Sequence, residues 1–426
     1  MFPVPTARRV MSEESAVARL LPSTGGDATY LVIGAVVAST FFIGFGGGVI
    51  FPILPNLGAV LGIPPFLVGI ILSANRFSRL FANAPAGMLV DRYGTRKPMV
   101  VGMLVQAVGT LGYVVAMLAP LPEAWFLSAR VLWGLGSALV FATAYTVAAD
   151  VSDGDSRGTS MGVIRGGILF GFPSGVVIGG IVSELAGELA AFAVAAAFAF
   201  LATLVALWLI PETHVESEVK QSVKPWEINL SVPAVTAGLV NFAVFFAYIG
   251  ALFATLVLLL GERNLGVFGF DAQASSGIFM AVTVLVAGAF TFLGGYASDR
   301  LRSRVPTLLS FLVVTAVGFV LLAAAESVPA LVVACACIGG GQGGVSGPLM
   351  ALLADLTPED EMGRAVGTNN VFGDIGGGLG PVISLPVVDA IGFWPVYIAC
   401  AALPLLAALA LLAGVYRETG RLLPRI

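Results

Sequence analysis

The chain carries little charge, histidine or cysteine for its length. Of its 426 residues, 11% are charged, one is histidine and three are cysteine. A soluble domain carries about 25% charged residues, because its surface must face water. The deficit therefore argues against a soluble globular protein. The single histidine, His214, lies in a polar stretch, which excludes histidine chemistry inside the apolar segments.

The usual motifs of metal and nucleotide sites are also missing. Cys335 and Cys337 form a Cys-x-Cys pair without a second Cys or His pair, and Cys400 also lies in an apolar run, as packing residues do. There is no Walker-type phosphate loop, and the glycine-rich run at 339–344 does not follow a strand. The sequence predicts no metal, no cofactor, no enzymatic activity and no nucleic-acid partner.

Apolar sequence is abundant instead. Hydrophobic residues make up 58% of the chain, and its mean hydropathy is +0.98. They form repeated runs of about 20 residues, the length that an α-helix needs to cross a bilayer core of about 30 Å. The 53 glycines and 24 prolines agree with this, since both residues are more frequent in membrane helices than in soluble ones. The lipid bilayer is therefore the expected environment.

The apolar runs form two sets of six, which predicts an all-α membrane protein with twelve transmembrane helices. The runs are 30–61, 65–90, 99–119, 124–149, 160–183 and 188–210, then 232–260, 272–297, 306–325, 328–354, 364–388 and 392–415. The predicted domains are an N-terminal tail at 1–29, a six-helix bundle at 30–210, a linker at 211–231, a second six-helix bundle at 232–415 and a tail at 416–426. Residues 1–29 lack the apolar core of a cleavable signal peptide, so the first span is expected to act as an uncleaved insertion signal.

The basic residues predict the orientation of the chain. With the N-terminus placed in the cytoplasm, 16 of the 21 Lys and Arg residues fall in cytoplasmic segments, four in spans and one, Arg263, in an external loop. Cytoplasmic loops of membrane proteins are enriched in Lys and Arg. We therefore predict a multi-pass protein of the plasma membrane, with both termini and the linker in the cytoplasm.

An internal repeat relates the two sets of six runs. At an offset of 208 residues, Gly87-x3-Asp91-Arg92-x3-Arg96-x-Pro98 aligns with Gly295-x3-Asp299-Arg300-x3-Arg304-x-Pro306. At an offset of 205, the aligned pairs are Asp150 and Asp355, Gly158 and Gly363, Gly162 and Gly367, Gly171 and Gly376, and Gly175 and Gly380. Six-helix halves with the same orientation indicate parallel repeats about an axis normal to the membrane.

These motifs resemble those of the major facilitator superfamily. GMLVDRYGTRKP at 87–98 is similar to the family's signature between helices 2 and 3, and GGYASDRLRSRVP at 294–306 resembles its degenerate second copy. FLSARVLWGLGSAL at 126–139 is similar to the fourth-helix pattern. The resemblance covers residues 30–415 and implies two pseudo-symmetric six-helix bundles, the major facilitator fold. It further implies transport of a small-molecule substrate by alternating access, and we expect a monomer.

The resemblance assigns the two loop motifs to a cytoplasmic gate. It implies that Asp91 contacts the start of the eleventh helix, where unpaired amides carry about +0.5 charge. Arg92 and Arg96 would bind neighbouring carboxylates, for which Asp150 and Asp299 are candidates. By pseudo-symmetry, Asp299 would contact the start of the fifth helix. The alternative is an ordinary basic loop. The predicted gating motif comprises Gly87, Asp91, Arg92, Gly94, Arg96, Lys97, Asp299, Arg300 and Arg304.

One acid lies deep inside a predicted span. A charge at a helix centre costs about 2.5–3.5 kcal/mol on insertion scales, so such residues normally face a cavity or a partner. Asp374 lies about ten residues into the eleventh helix. A desolvated carboxylate there can exchange a proton as water access alternates. We predict that Asp374 is the site of proton coupling; the alternative is a structural carboxylate paired with a fixed arginine.

Four arginines also lie within predicted spans. Arg76 and Arg79, in the second helix, need anionic partners or a wet cavity. The resemblance associates an arginine at Arg130 with proton-coupled members, with structural pairing as the alternative. Arg165, whose repeat counterpart is Asn370, lies one turn into the fifth helix and could snorkel to the surface. The predicted proton-coupling or substrate cavity comprises Asp374, Arg130, Arg76, Arg79, Arg165 and Asn370.

Glycine and proline shape the fifth and eleventh helices. Gly171, Pro173 and Gly175 in the fifth, and Gly380 and Pro381 in the eleventh, predict thin, kinkable helices that pack between the halves. Drug-exporting antiporters of the superfamily carry a Gly-Pro pattern in the fifth helix. The present stretch only approximates it, because a phenylalanine precedes the proline.

The predicted function is secondary active transport, as proton-coupled export of small amphipathic compounds. Arg76 and Arg79 favour the alternative, proton-coupled uptake of a small polar or anionic metabolite. An alternative of another class is a non-transporting membrane receptor or scaffold on the same fold. Soluble sensory domains would favour that class, and the short predicted tails do not provide one.

Overall fold

A computed structural model of the chain describes residues 26–150, 157–210, 212, 229–301, 303–358 and 361–424. For residues 26–32, 148–149 and 157–165 it describes the backbone alone. The side chain of Arg165 and most of the predicted linker therefore lie outside the described residues. So do the side chains at the start of the fifth span, where Asp299 was expected to make its contact.

The described chain is helical throughout, with fourteen α-helices and one π-helical segment. They are α1 (Gly26–Gly48), α2 (Ile50–Val60), α3 (Pro65–Tyr93), α4 (Arg96–Leu118), α5 (Pro122–Asp150), α6 (Arg157–Ala186), α7 (Glu188–Leu209), α8 (Val232–Phe245), the π-helical segment (Phe246–Leu252), α9 (Phe253–Arg263), α10 (Ala272–Leu301), α11 (Arg304–Ala324), α12 (Val328–Leu356), α13 (Met362–Ile391) and α14 (Phe393–Thr419).

These helices form the twelve predicted spans. The first span consists of α1 and α2, joined at Val49, whose N–H still donates to the Phe45 carbonyl at 3.2 Å. The seventh consists of α8, the π-helical segment and α9. Eleven spans of the described chain are long and apolar enough to cross a membrane. The remaining one, α3, has 29 residues, but Arg76 and Arg79 lower its hydropathy.

The two halves repeat the same packing. In the first half, α1 packs on α6, α3 on α5 and α4 on α5; in the second, α8 packs on α13, α10 on α12 and α11 on α12. Each pair of the first set occupies the same place in its half as the corresponding pair of the second. The fold is therefore the predicted arrangement of two six-helix bundles with parallel pseudo-symmetry.

The predicted packing glycines lie where helices approach most closely. A Cβ on Gly171 or Gly175 of α6 would collide with the carbonyl oxygen of Phe41 or Phe45 on α1. Gly380 of α13 packs in the same way against the π-helical segment. Small residues permit such approaches, which supply van der Waals contact where lipid provides no hydrophobic drive for helix association. Pro173 and Pro381 lie inside α6 and α13.

The bundle has two distinguishable sides. The loops that follow α3 and α10 lie on one of them, which we call the basic side because Arg92, Arg96 and Arg304 are there. On the opposite side, Arg263 at the end of α9 donates to the Ala323 carbonyl at 2.8 Å and also to that of Ala325. Each span connects the basic side to the opposite side.

Candidate functional site

The two halves meet mainly through two helix pairs, α3 with α13 and α6 with α10. We call the first the charged interface, formed by Gly69, Ser73, Arg76, Arg79, Asp374, Gly378 and Pro381. We call the second the apolar interface, formed by Leu169, Val176, Gly180, Gly277 and Gly288. Both pairs run from the opposite side of the bundle to about the middle of their helices.

The charged interface is centred on Asp374. Its Oδ1 accepts hydrogen bonds from Arg76 Nη1 at 3.3 Å and, more closely, from Arg79 Nη2. The side chains of Asp374, Arg76 and Arg79 are 13%, 14% and 20% exposed. All three lie near the midpoints of their helices. The fold thus brings together three residues that the sequence singled out separately, and pairs an acid of one half with two cations of the other.

Toward the opposite side, α3 and α13 are in backbone contact. The buried Ser73 hydroxyl donates to the Gly378 carbonyl at 2.5 Å. One turn further, a Cβ on Gly69 would lie 2.5 Å from the Pro381 carbonyl oxygen, closer than real Cβ atoms approach. The two halves are therefore in close contact between the Asp374 ion pairs and the opposite side.

Toward the basic side, the same two helices separate. Asn83 and Gly87 follow Arg79 at spacings of four, so they share its face of α3; Asn370 precedes Asp374 by four on α13. Asn83 and Asn370 are both exposed, and a Cβ on Gly87 would meet no atom within 4 Å. Asp374 therefore lies where the contact between α3 and α13 ends, and the next polar residues toward the basic side, Asn83 and Asn370, are exposed.

Arg130 of α5 binds the backbone of α3. It is 1% exposed and donates to the Leu72 carbonyl at 2.7 Å, the Ile71 carbonyl at 3.3 Å and Asn75 Oδ1 at 2.5 Å. Its guanidinium also lies 5.7 Å from the ring centre of Trp133. None of these partners is an anion. Arg130 therefore stabilises the helix that carries Arg76 and Arg79 and leaves its own charge uncompensated by a carboxylate of the described chain.

The apolar interface uses helix packing and, at its end, polar contacts, one of which is the hydrogen bond that Gln273 Nε2 of α10 donates to Ser183 Oγ of α6 at 2.8 Å. Gly277 lies against the Val176 backbone, and Gly288 lies against Leu169. At the opposite side, the Glu184 carboxylate at the end of α6 accepts hydrogen bonds from the backbone N–H of Asp271 at 2.8 Å and of Ala274 at 3.2 Å. These amides belong to the first turn of α10, so an acid of one half caps a helix of the other.

The first loop motif is held by its own half. Gly94 has φ +79°, a conformation that favours glycine, and the Glu212 carboxylate packs against it while accepting from the Thr95 N–H at 2.6 Å. Arg96 donates to the Leu207 carbonyl at 2.9 Å. Asp91 and Lys97 are exposed, and Arg92 lies over the ring of its neighbour in sequence. Among the described residues, no hydrogen bond or ion pair joins Asp91 to the start of α13, and that contact stays a prediction.

The second loop motif is an ion cluster within its half. Arg304 pairs with Asp355 of α12 at 3.0 Å and with Asp299, and it donates to Ser298 Oγ at 3.2 Å. Arg300 lies 4.7 Å from the ring centre of Tyr296. The equivalent arginine in the first half, Arg96, binds a carbonyl instead. The two halves therefore share the same helix packing, but the equivalent loop arginines in them bind different partners.

Three residues of the site escaped the sequence analysis. Asn75 directly precedes Arg76, and Asn83 follows Arg79 by one helical turn, so their spacing was a usable signal. Glu184 lies just beyond the predicted end of the fifth span and looks like an ordinary loop acid. Its role becomes visible only when α10 is packed beside it.

The comparison with known families decides the class of the protein. The family model described as Major Facilitator Superfamily matches residues 36–381 and 269–425. The chain belongs to the Major Facilitator Superfamily. As a member of this superfamily, it is a multi-pass membrane transporter for small molecules and not an enzyme.

Solved structures support the same fold for this superfamily member. A bacterial homolog of the human lysosomal transporter Spinster, in an inward-facing and occupied conformation, matches with a TM-score of 0.77, covering 94% of this chain and 99% of that one at 15% identity. The same homolog in an inward-facing and unoccupied conformation matches with a TM-score of 0.69, covering 92% and 96%. At this identity the likeness concerns the fold alone.

Curated relatives match over only part of the chain. Multidrug resistance protein 2 of Bacillus subtilis is 25% identical over 118 residues, which are 28% of each chain. Myo-inositol transporter 3C of Cryptococcus neoformans var. grubii is 29% identical over 203 residues, 48% of this chain and 33% of the relative. The matches span about a third or less of these relatives. Their names point to different substrates, so they do not define the substrate of this transporter.

Proposed function

We propose that this protein is a proton-coupled secondary transporter in which Asp374 binds the coupled proton. The observation that carries the proposal is a carboxylate held by two arginines of the other half, at the point where the halves cease to touch. At that point a change in one charge alters the attraction between the halves. The proposal also requires water to reach Asp374 from the basic side, and the exposed Asn83 and Asn370 on that side support this.

The coupling follows from the electrostatics of the ion pairs. In a low-dielectric interior, a charged hydrogen bond is much stronger than in water, and removing the charge of one partner forfeits most of that attraction. Protonation of Asp374 would therefore release Arg76 and Arg79 and loosen α3 from α13. In the alternative conformation, Asp91 would reach the start of α13 and hold the basic side closed, as the gating motif predicts.

The proposed orientation places the basic side and both termini in the cytoplasm of a plasma-membrane protein that acts as a monomer. Export of small amphipathic compounds is the predicted direction, and the partial likeness to a multidrug resistance protein supports it. The second candidate is proton-coupled uptake of a small polar or anionic metabolite, which the paired arginines of the charged interface favour.

Asp374→Asn tests the proton site. We expect the reconstituted variant to lose flux driven by a pH gradient by about 100-fold or more, while downhill exchange persists, because the amide cannot take up the proton. The readout is flux of labelled amphipathic compounds and small anions in proteoliposomes, with and without the gradient. The matched control is Asp389→Asn, which changes an exposed acid near the far end of the same helix.

Full gradient-driven flux in Asp374→Asn would remove this carboxylate from the mechanism. Direction is measured separately, by adding a protonophore to cells loaded with labelled compound. Export predicts that efflux stops, and uptake predicts that accumulation is lost. A protein that moves no solute in either assay would fit the receptor or scaffold class instead.

A further inference from the structure

The charged interface holds more positive charge than its acid neutralises. Arg76, Arg79 and Arg130 bring three positive charges to the middle of the bundle, and Asp374 brings one negative charge. The surplus is two charges at mid-membrane depth, where an unpaired charge is costly and normally marks a substrate or ion pathway. In the part of the chain that the structure describes, Arg130 donates to carbonyl and amide oxygens and pairs with no carboxylate, so the surplus is not relieved there.

The helices around Asp374 bring no second acid to it. The sequences of α8 and the π-helical segment contain no charged residue, and α12 and α14 carry theirs at the basic side. On α5, Glu123 and Asp150 lie at the two ends of the helix. On α13 itself, Asp389 lies 15 residues away, about 22 Å along the helix axis. Within the described chain, Asp374 is thus the carboxylate that pairs with Arg76 and Arg79, and Arg130 has no carboxylate partner.

We propose that the transported substrate is a monovalent anion, and that its carboxylate, sulfonate or phosphate-ester group takes the place of the Asp374 carboxylate on Arg76 and Arg79. The proposal rests on the function proposed above for this site and names its substrate class. Two arginines from adjacent turns of one helix present the planar donors that bind such groups well. Asn83 and Asn370 supply neutral hydrogen-bond donors along the approach from the basic side.

Proton and anion would bind together. The proton passes from water to Oδ2 of Asp374, which accepts no hydrogen bond from the described residues, while both arginines bind Oδ1. The neutral acid then releases the arginines, and the anion accepts their hydrogen bonds. The cluster carries a surplus of two positive charges before and after, so loading leaves its charge unchanged. Joint binding is the sign of cotransport, so this proposal selects the second candidate function, proton-coupled uptake, over the export that was named first.

The test uses the purified full chain in detergent and three probes of one shape. They are benzenesulfonate, the neutral benzenesulfonamide and the cationic phenyltrimethylammonium, each titrated while the melting temperature and the proton uptake of a weakly buffered solution are followed. We expect benzenesulfonate alone to stabilise the wild-type chain, more strongly at lower pH, with up to one proton taken up per anion bound.

Two variants assign the effect to the interface. Asp374→Asn should bind benzenesulfonate about tenfold or more tightly and without proton uptake, because the competing carboxylate is gone. A gain of affinity cannot result from misfolding. Arg76→Gln/Arg79→Gln should lose about tenfold or more in affinity. Arg263→Gln, on the opposite side, is the control and should bind as the wild-type chain does.

Several outcomes would overturn the proposal. One is stabilisation by the cation or the neutral probe, and another is weaker anion binding in Asp374→Asn. Equal stabilisation by chloride at the same concentration would assign the site to a buffer ion. Complete competition by phosphatidylglycerol in mixed detergent micelles would assign it to a lipid headgroup. If Asp374→Asn still abolishes gradient-driven flux, the proton site stands and only the substrate class fails. If that flux is unchanged, the proposed function itself fails.

Discussion

The two interfaces between the halves occupy equivalent positions in the internal repeat. At the repeat offsets, α3 corresponds to α10 and α13 to α6. Gly69 against Pro381 in the charged interface then corresponds to Gly277 against Val176 in the apolar interface, and in both pairs the glycine lies against the backbone of the partner. The close-packed contact is therefore a shared feature of the repeat and does not depend on charge.

The centres of the two interfaces differ completely in charge. Arg76 and Arg79 correspond to Val284 and Ala287, and Asp374 corresponds to Leu169. A carrier needs a contact that separates and re-forms, and glycine packing supplies this on both sides of the pseudo-axis. One interface has in addition a group that can change its charge. Under the proposed function, the packing would support the movement and the charged interface would couple it to the proton.

At the opposite side of the bundle the two interfaces differ again, but there the apolar interface is the one with the charged contact. Glu184 caps α10 from the other half, and its equivalent in the repeat is Asp389, at the far end of α13. The helix that Asp389 would cap, α3, begins at Pro65 and follows Pro64, and neither proline has an N–H to donate. Among the described residues, the acid that caps a helix of the other half at the opposite side is Glu184, in the apolar interface.

The largest effect is expected when the charged interface is converted to the sequence of the apolar one. In the triple variant Arg76→Val/Arg79→Ala/Asp374→Leu, gradient-driven transport should be lost entirely. Stability should be unchanged or higher, since replacing buried ion pairs by apolar residues is often neutral or stabilising by about 1–4 kcal/mol. Flux in proteoliposomes and the melting temperature in detergent measure the two effects.

The single change Asp374→Leu sharpens that result. It leaves Arg76 and Arg79 without their anion, which should destabilise the chain by about 3–5 kcal/mol and lower the melting temperature well below that of the triple variant. Equal melting temperatures for the single and the triple variant would show that the ion pairs contribute nothing to the packing of α3 on α13. Retained transport in the triple variant would contradict the coupling role of the interface.

Replacing the glycine of either interface, Gly69 or Gly277, by leucine should have a smaller effect, of equal size in the two variants. Gly69→Leu and Gly277→Leu each force the halves apart at the opposite side, where overpacking costs about 1–3 kcal/mol, or roughly 5- to 150-fold in the conformational equilibrium. Distances between spin labels placed on the opposite side should lengthen in both variants. A shift in one variant alone would show that only one interface closes this side of the molecule.

Much of this architecture could be predicted from the sequence, because the signals are local. Runs of about 20 apolar residues give the spans, and the motif beginning at Gly87 recurs 208 residues later, which gives the two halves. Arg76, Arg79 and Asp374 stood out because charge in a membrane helix is rare. The free-energy cost of placing a charge in the membrane identifies each of these residues separately and does not show which of them pair.

Which residues would meet could not be predicted in the same way. Pairing of Asp374 with Arg76 and Arg79 depends on how α13 packs on α3, residues about 295 apart in sequence. The gate offers the contrasting case, because the contact of Asp91 with the start of α13 stays a prediction, proposed for a conformation in which the basic side is closed. Glu184 was overlooked since a cap on another half's helix leaves no local pattern. Periodicity and hydropathy describe single helices and contain no information on the space between them.

The smallest expected effect concerns the cap on α10. Glu184→Gln keeps a hydrogen-bond acceptor but removes the charge that interacts with the helix N-terminus, an interaction worth about 0.3–2 kcal/mol. The opposite side should therefore open more often by a few-fold, seen as faster labelling of a cysteine placed in α10 near Gln273. Asp389→Asn, the equivalent change near the start of α3, should leave the labelling rate unchanged, because no described residue donates a hydrogen bond to the Asp389 carboxylate. Equal acceleration in both variants would mean that net charge on this side, and not the cap, governs opening, and the distinction between the two interface ends would then be lost.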